Sequence, residues 1–408
     1  MHKDHLIVND PVYGFIQVPR GLLCEIVEHP MFQRLGRIRQ LGMASVVYPG
    51  AQHTRKQHSL GAFYLMQEAL RSLREKGHFI FDSEMEAVEA AILMHDLGHG
   101  PYSHVLESVF VSSVSHEDLS LAMMKKINEE MHGALSLAIK IFEGEYPKSF
   151  LHELICSQLD MDRLDYLCRD SFYTGVIEGN IGAARIINML DMVDDRLVVR
   201  SKGIYSVENY LMARRLMYWQ VYLHKTAVGA EQVLRSALRR AKYLIHNGEQ
   251  LFTTPSLHYF LSRDLDRQQF FESPEPLMEY AKLDDSDIIV SLKNWMDHPD
   301  KVLSVLSTAF IERRLFRTEV FEGALPEGLL EEYRQQTARK YGISYDETEY
   351  FVATKTIEKE MYTVASAGIG MLFPNGEVKD VSEVSHIVKN DNRELCDSKL
   401  YVFSPSFI

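Results

Sequence analysis

The residues with the clearest chemical meaning are His95 and Asp96, which stand where the apolar run Ala91–Met94 ends and a glycine- and histidine-rich turn begins. Burying a carboxylate there costs free energy unless a cation or hydrogen bonds compensate it. A divalent metal ion with nitrogen and oxygen ligands is the simplest compensation. With His58 and Asp162, the pair forms a set of two imidazoles and two carboxylates, and the negative charge of the carboxylates nearly balances the positive charge of a divalent ion. The sequence therefore predicts one divalent metal ion, and these ligand types admit Mn, Fe, Co, Ni, Zn or Mg.

Each of these residues also has an ordinary interpretation when it is taken alone. A single His or Asp at a helix end is usually a cap or a solvated group, and the chain contains 17 histidines. The ordered set is harder to reach by chance, since Arg55 precedes His58 by three residues and Tyr166 follows Asp162 by four. A metal in such a set lowers the pKa of water and polarises a phosphoryl oxygen, which predicts a hydrolase.

Further basic residues surround the predicted metal ligands. His99, His104 and His116 follow the central pair, and imidazoles beside a metal can bind phosphate oxygens or act as a general acid. Arg55 and Arg163 add fixed positive charge in a geometry that suits phosphate. Surface histidines and solvated arginines are the alternative interpretation. Taken together, these residues favour a polyanionic, phosphate-bearing substrate.

Two helical patterns place aromatic and polar residues on common faces. Asp162, Tyr166 and Asp170 follow one another at intervals of four residues, so they share a helix face. Arg214 and Tyr222 are eight residues apart and lie near one face of a later helix. Packing in the protein core is the alternative role for both tyrosines.

The bulk properties are those of an ordinary globular protein. The chain has 408 residues, of which 46% are hydrophobic and 25% charged. Its net charge of −13 argues against nonspecific binding of nucleic acid, but not against a small anion in a locally basic pocket. Four widely spaced cysteines and the lack of any run as long as a membrane span predict a reduced, cytoplasmic protein that does not enter a membrane.

The elements that must position these residues are mostly helices. Helical periodicity dominates from Pro19 to about Asn247, and Leu197–Val199 is a candidate strand of a hairpin that closes at Ser201–Gly203. The main predicted helices of this part are Phe63–Lys76, Ser83–Met94, Leu119–Met131, Ile181–Met192 and Val207–Ile245.

The character of the sequence changes after about Val302. Pro374–Gly376 is a strong turn signal between two strand-like runs. Here we predict helices at Leu303–Phe316 and Leu329–Tyr341, and strands at Tyr350–Thr354, Met361–Val364, Gly370–Phe373 and Lys399–Phe403. The prediction is a mainly α fold, with a helical body over residues 1–300 and a smaller α+β lobe over residues 301–408.

The motifs together resemble one superfamily. The H…HD…D set of metal ligands is typical of HD-domain phosphohydrolases, and the wider pattern resembles their deoxynucleoside triphosphate triphosphohydrolase subfamily. The matching segments are Asn9–Gly14, Phe32–Leu35, Arg39–Gly42, Tyr48–Ala51, Arg55, His58–Gly61, His95–His104, Asp162–Tyr166, Arg169 and Asp170. The resemblance covers about the first 230 residues closely and implies an HD helical bundle with its core at about 50–175.

The resemblance also implies a role for each residue near the metal. It gives His104 the protonation of the departing 5′-oxygen, and it gives His99 and His116 the orientation of phosphate. It places Arg55 beside the α-phosphate and Arg163 beside the distal phosphates.

For the nucleoside, the resemblance implies that Tyr166 packs against the deoxyribose and that Asp170 accepts from the 3′-hydroxyl. Gln40 and Leu41 match positions that contact sugar and base. Arg214 and Tyr222 match positions that contact phosphate and base.

The implied reaction is hydrolysis of a dNTP, in which metal-activated water attacks the α-phosphorus and the products are deoxynucleoside and inorganic triphosphate. The metal set alone also fits a phosphohydrolase acting on nucleoside monophosphates or cyclic nucleotides. A nucleotide-sensing HD scaffold is a third possibility, but it needs a damaged site. Arg55, His104, Tyr166 and Asp170 favour the triphosphate substrate.

Relatives of this kind assemble as dimers or tetramers, several of which bind activating nucleotides between subunits, so we expect a homo-oligomer. This chain keeps Asn9 and Gln33 at matching places, but it has Leu6, Glu28 and Gly36 where the activator pattern expects Lys, Asp and Arg. Leu6 and Gly36 cannot replace two cationic contacts. We therefore do not expect a guanine-nucleotide activator site of the animal type.

Overall fold

The computed structural model describes residues 5–106, 109–110, 113–360, 368–388 and 396–406. The side chains left out within those ranges are His104, Leu106, Lys359, Glu360, Cys396 and Asp397. Helices dominate the described chain, which confirms the mainly α prediction. They are α1 (Leu22–Glu28), α2 (Pro30–Arg34), α3 (Arg55–Glu75), α4 (Asp82–Met94), α5 (Ser103–Leu106), α6 (His116–Glu130), α7 (Ser136–Phe142), α8 (Ser149–Glu153), α9 (Met161–Thr174), α10 (Ala183–Met189), α11 (Ile204–Met217), α12 (Lys225–His246), α13 (Pro255–Leu261), α14 (Arg267–Glu272), α15 (Pro274–Tyr280), α16 (Asp285–Trp295), α17 (Lys301–Ile311), α18 (Leu329–Tyr341) and α19 (Val381–Val384).

The strands form small sheets around this helical body. They are β1 (His5–Asp10), β2 (Gly14–Pro19), β3 (Leu190–Val193), β4 (Arg196–Arg200), β5 (Arg317–Phe321), β6 (Ala353–Glu360), β7 (Gly370–Leu372), β8 (Val378–Asp380) and β9 (Cys396–Ser404). In the described sheets, β1 pairs with β2, a second sheet has the order β3-β4-β7-β8, and a third has the order β5-β9-β6. The one parallel pairing among these strands joins β4 to β7, which lies more than 150 residues later in the chain.

Three helices form the frame of the predicted site. The eight residues Ala87–Met94 of α4 are all buried, so this helix is surrounded by the others and ends at the His95–Asp96 pair. Helix α3 begins where the Gln57 side chain accepts from the Thr54 N–H at 2.8 Å. Asp160 caps the start of α9, because its carboxylate accepts from the Arg163 N–H at 2.7 Å.

Helices α3 and α9 pack closely against each other at Gly61. A Cβ atom on Gly61 would lie 2.1 Å from both Asp165 Oδ1 and Arg169 Nη2, far inside van der Waals contact. Glycine is needed here because the space that a side chain would fill is taken by a buried ion pair. This approach brings His58 of α3 next to the first turn of α9.

Two predictions in the middle of the chain were wrong. The helix expected over Ile181–Met192 ends at Met189, because Leu190 begins β3. The hairpin turns at Asp194 and Asp195, which both have positive φ, whereas the predicted closing turn at Ser201–Gly203 is a short helical turn. Polar residues that tolerate positive φ suit such a two-residue turn.

The helix predicted over Val207–Ile245 is also interrupted. Helix α11 continues into a π-helical turn at Tyr218–Tyr222, and α12 starts afresh at Lys225. A π-helical turn inserts an extra residue and shifts the faces of the helix on either side of it. Residues before and after this turn therefore do not keep α-helical spacing.

The tail contains both helices and strands, as predicted. Helix α18 has the predicted bounds, and the Pro374–Gly376 turn joins β7 to β8. The predicted strand at Tyr350–Thr354 begins only at Ala353, and the one predicted at Met361–Val364 lies outside the described residues. The division of the chain at residue 300 stays a prediction.

Among the helices of the described residues, none is both long enough and apolar enough to cross a bilayer.

Replacing Gly61 by Ala should lower the free energy of unfolding by about 1–3 kcal/mol, because the added methyl group must displace a buried ion pair. The higher helix propensity of Ala, about 1 kcal/mol, offsets only part of this cost. Urea unfolding followed by circular dichroism measures the change. Gly182→Ala is the control, since its Cβ would meet only Arg185 Cβ at 3.7 Å. A Gly61→Ala protein as stable as the control would contradict the close approach.

Candidate active site

The structure brings together the predicted ligands His58, His95 and Asp162 from three different helical segments. Their ligand atoms all lie within 4.8 Å of one another, and such a group could hold a metal ion. His58 Nε2 is 2.9 Å from Asp162 Oδ1 and 3.3 Å from His95 Nε2. His95 Nε2 is 3.5 Å from Asp162 Oδ1. The same nitrogen of each ring therefore faces one shared point.

Asp96 lies beside this group. Its carboxylate oxygens are 3.6 Å from His95 Nε2 and 3.9 Å from His58 Nε2. The Arg55 guanidinium donates to Asp96 Oδ2 at 2.7 Å. Burial and this cation have opposite effects on the pKa of the carboxyl group. Burial alone would raise the pKa of Asp96, but Arg55 and the neighbouring imidazoles hold it well below its usual value. Asp96 is thus an anion at the edge of the cluster.

In each of the two imidazoles, a hydrogen bond made by Nδ1 holds the ring so that Nε2 faces the shared point. His95 Nδ1 lies 2.6 Å from the Ile92 carbonyl oxygen, which can only accept, so Nδ1 carries the proton. His58 Nδ1 lies 2.7 Å from Asp165 Oδ2, and the same argument applies because Asp165 is an anion. When a metal ion displaces any proton from Nε2, both rings would therefore present an Nε2 lone pair to the shared point. This is the tautomer that metal-binding histidines need.

The charges of the cluster call for a cation. Burial alone would lower the pKa of His58, but hydrogen bonds to Asp162 and Asp165 outweigh it and raise that pKa to about 10. Without a metal ion, His58 therefore binds a proton, because the neighbouring carboxylates stabilise its positive charge. A divalent ion would replace this proton and balance the same carboxylates, so the donor set fits a metal ion.

A buried chain of ion pairs supports the cluster from behind. Arg169, which is wholly buried, donates to Asp165 Oδ2 at 3.0 Å and to Asp10 Oδ2 at 2.7 Å. Burial alone would raise the pKa of Asp165, but Arg169 and His58 hold it below its usual value. These ion pairs connect the end of β1, through α9, to His58 of α3.

The cluster opens into a cleft of about 610 Å³. Most of the predicted site residues line this cleft, namely Gln40, Leu41, Arg55, His58, His95, Asp96, His99, His116, Asp162, Arg163, Tyr166, Asp170 and Tyr222. Arg214 does not line it, because Arg214 donates to Gln158 Oε1 at 2.9 Å and lies against the Tyr218 ring. The side chain of His104 lies outside the described residues.

The imidazoles His99 and His116 lie next to the cluster. Their rings stack with centroids 4.0 Å apart. His99 already has a partner for each nitrogen, since Nε2 lies 3.2 Å from Asp96 Oδ1 and Nδ1 lies 2.9 Å from Ser103 Oγ. Burial and the nearby Arg55 hold the pKa of His99 well below its usual value, so its ring is neutral.

The other end of the cleft is aromatic and polar. The Tyr166 and Tyr222 rings meet edge to face with centroids 6.0 Å apart, and the Tyr222 hydroxyl donates to Asp170 Oδ2 at 2.8 Å. Gln40 Oε1 is buried without a hydrogen-bond partner among the described residues. Arg163, which follows Asp162 of the cluster, also lines the cleft, and its Nε donates to the Ser157 carbonyl oxygen at 2.7 Å and to Asp160 Oδ2 at 3.1 Å.

Several residues that hold the site have no role predicted from the sequence. The spacing of Asp165 and Arg169, four apart on one helix, is a signal that could have found that pair. Asp10 and His53 carry no such signal, because their partners on α9 are more than a hundred residues away. Only the tertiary fold brings them there.

Gly36, one of the positions that depart from the activator pattern, lies beside Lys56. A Cβ on Gly36 would lie 3.3 Å from Lys56 Cδ, and the Lys56 ammonium donates to Gln33 Oε1 at 2.8 Å. A lysine from α3 therefore covers the place of the missing side chain. Both the activator question and the homo-oligomer stay predictions.

Replacing Asp165 by Asn should weaken metal binding about 10- to 100-fold, because the anion that fixes the His58 tautomer is lost. Calorimetric titration with Mn²⁺ measures the affinity, and circular dichroism checks the fold. Asp191→Asn is a matched control, since Asp191 also pairs with a histidine, His78, at 2.6 Å, outside the cleft. A folded Asp165→Asn protein with unchanged affinity would contradict the role of this carboxylate.

Comparisons with known proteins place these features in a family. The HD domain family model matches residues 55–170, and that of the HD-associated region matches residues 181–252. The first match begins at Arg55 and ends at Asp170, so it contains all of His58, His95, Asp96 and Asp162. A crystal structure of a phosphohydrolase from Bacteroides thetaiotaomicron has a TM-score of 0.95 and 55% identity, covering 98% of this chain and all of that one.

This chain is also similar in sequence to a bacterial protein and to a human enzyme. The uncharacterized protein YwfO of Bacillus subtilis is 33% identical over 98% of this chain and 92% of its own length. The human deoxynucleoside triphosphate triphosphohydrolase SAMHD1 is 30% identical over 59% of this chain and 45% of its own length, so this chain matches less than half of that protein. The chain therefore belongs to the HD-domain family of metal-dependent phosphohydrolases.

Proposed function

We propose that this protein hydrolyses deoxynucleoside triphosphates to deoxynucleoside and inorganic triphosphate. The carrying observation is the face of α9 that runs along the cleft, with Asp162 at the cation site and Tyr166 and Asp170 on the next turns. A phosphate-binding end and a sugar-binding end thus lie on one helix. Similarity to SAMHD1 enzymes from human and Dictyostelium discoideum, the latter 29% identical over 72% of this chain, supports the same substrate class.

The phosphate end supports a polyanionic substrate. Arg55 is held by Asp96 at 2.7 Å, and its buried Nε has no hydrogen-bond partner among the described residues. Arg163 is oriented through its Nε, which donates to the Ser157 carbonyl oxygen and to Asp160. Guanidinium groups held in this way neutralise phosphate charge without reorganising during the reaction.

The sugar end supports a deoxyribose. In this proposal, the Tyr166 ring packs against the sugar and fills the space of a 2′-hydroxyl, while Asp170 accepts from the 3′-hydroxyl. The edge-to-face contact with Tyr222 holds the Tyr166 ring in place. Gln40, whose Oε1 lacks a partner among the described residues, offers a second acceptor, and Leu41 lines the base end.

The proposed reaction divides the work among these residues. A metal ion bound by His58, His95, Asp96 and Asp162 would lower the pKa of water and polarise a phosphoryl oxygen. Water adds to the α-phosphorus, and the bond from phosphorus to the 5′-oxygen breaks.

In the same proposal, His104 gives a proton to the departing 5′-oxygen, so that deoxynucleoside leaves with a free hydroxyl. His116 contacts phosphate, while His99 acts by holding Asp96, since both of its nitrogens are engaged. Triphosphate leaves as the second product.

Purified protein loaded with Mn²⁺ should convert each susceptible dNTP into deoxynucleoside and inorganic triphosphate in equal amounts, because cleavage falls between the α-phosphorus and the 5′-oxygen. Ion-exchange chromatography of reactions with all four dNTPs resolves the products. Treatment with EDTA should abolish turnover, and added Mn²⁺ should restore it. Release of pyrophosphate or single phosphate instead, or no turnover of any dNTP, would contradict the proposal.

A further inference from the structure

We propose that His53 is a positioning residue that sets the recognition of the substrate 3′-hydroxyl, by orienting Asp170 and Gln40 at the sugar end of the cleft. The inference rests on the proposed function and goes beyond it. His53 does not line the cleft, so it acts only through residues that do.

The Asp170 carboxylate is held from two sides. His53 Nε2 lies 2.7 Å from Asp170 Oδ1, and the Tyr222 hydroxyl donates to Asp170 Oδ2 at 2.8 Å. Two contacts on different oxygens fix the plane of a carboxylate, which a single contact would leave free to rotate. Each oxygen keeps a further lone pair that can accept from a ligand.

The protonation of His53 follows from its surroundings. Its side chain is wholly buried, and Nδ1 has no hydrogen-bond partner among the described residues. The Asp170 carboxylate can only accept, so the proton of this contact lies on His53 Nε2, which donates to Asp170 Oδ1.

The orientation of the His53 ring is fixed as well. The ring stacks on Tyr173 with centroids 4.4 Å apart and planes 17° apart. The Tyr173 hydroxyl accepts in turn from Gln57 Nε2 of α3 at 3.0 Å. Rotating the imidazole would break the stack, so its N–H stays directed at Asp170.

The main chain of His53 holds the second sugar-facing residue. The Gln40 N–H donates to the His53 carbonyl oxygen at 3.0 Å. Gln40 Oε1 is the buried acceptor of the cleft that lacks a partner among the described residues. One residue therefore anchors both polar groups that face the sugar, one through its side chain and one through its backbone.

The test pairs a change in the protein with a change in the substrate. Wild-type protein should prefer a dNTP to the 2′,3′-dideoxynucleotide with the same base by tenfold or more in kcat/KM, because a hydrogen bond to a charged group is lost. His53→Leu removes the donor to Asp170 and should reduce this preference to less than threefold, mostly by raising KM for the dNTP.

Two amide variants separate positioning from general damage. His53→Gln places an amide N–H near the position of Nε2 and should retain most of the preference. His53→Asn has the same chemistry but is one methylene too short, so it should lose the preference. This pair also decides the matter if His53→Leu does not fold.

The possible failures are distinguishable. No dNTP turnover by the wild-type protein would overturn the proposed function and this inference with it. An active wild-type protein whose preference survives unchanged in His53→Leu or His53→Asn would overturn the inference alone. Equal losses on both substrates would likewise overturn it, since they would indicate a purely structural role.

Discussion

The buried carboxylate of Asp165 is the contact on which the site depends. It accepts from His58 Nδ1 at 2.7 Å and from Arg169 Nε at 3.0 Å. Because a carboxylate only accepts, this contact places the His58 proton on Nδ1 and turns the Nε2 lone pair towards the cation site. Arg169 compensates the charge and binds Asp10 at the end of β1. The glycine at position 61 follows from the same ion pair, which fills the space between α3 and α9.

The same arrangement of charge would allow one cleft to hold both a metal ion and the proposed polyanionic substrate. Two of the buried carboxylates have their own arginines, Asp96 with Arg55 and Asp165 with Arg169. Asp162 has only imidazole partners in the described structure, and 31% of its side chain is exposed towards the cleft. Asp162 is therefore the carboxylate of the cluster without an arginine partner in the described structure, and the guanidinium groups of Arg55 and Arg163, which line the cleft, would be placed to meet phosphate in the proposed function.

How much the sequence could predict depends on the range of the interactions. Helical spacing placed Asp162 on one face with Tyr166 and Asp170, because a single regular helix carries them. The same spacing argument did not bring Arg214 to the cleft with Tyr222, because the π-helical turn between them shifts the helix faces. The bonds of Asp170 to His53 and of Arg169 to Asp10 join residues 117 and 159 positions apart, and no local pattern encodes them.

Anomalous diffraction from crystals soaked in Mn²⁺ shows whether His58, His95, Asp96 and Asp162 hold a single metal ion. We expect one anomalous peak within bonding distance, about 2.2 Å, of both imidazole Nε2 atoms and of an oxygen from each carboxylate. A peak bound instead by His99 and His116, or no peak at the cluster at saturating Mn²⁺, would contradict it.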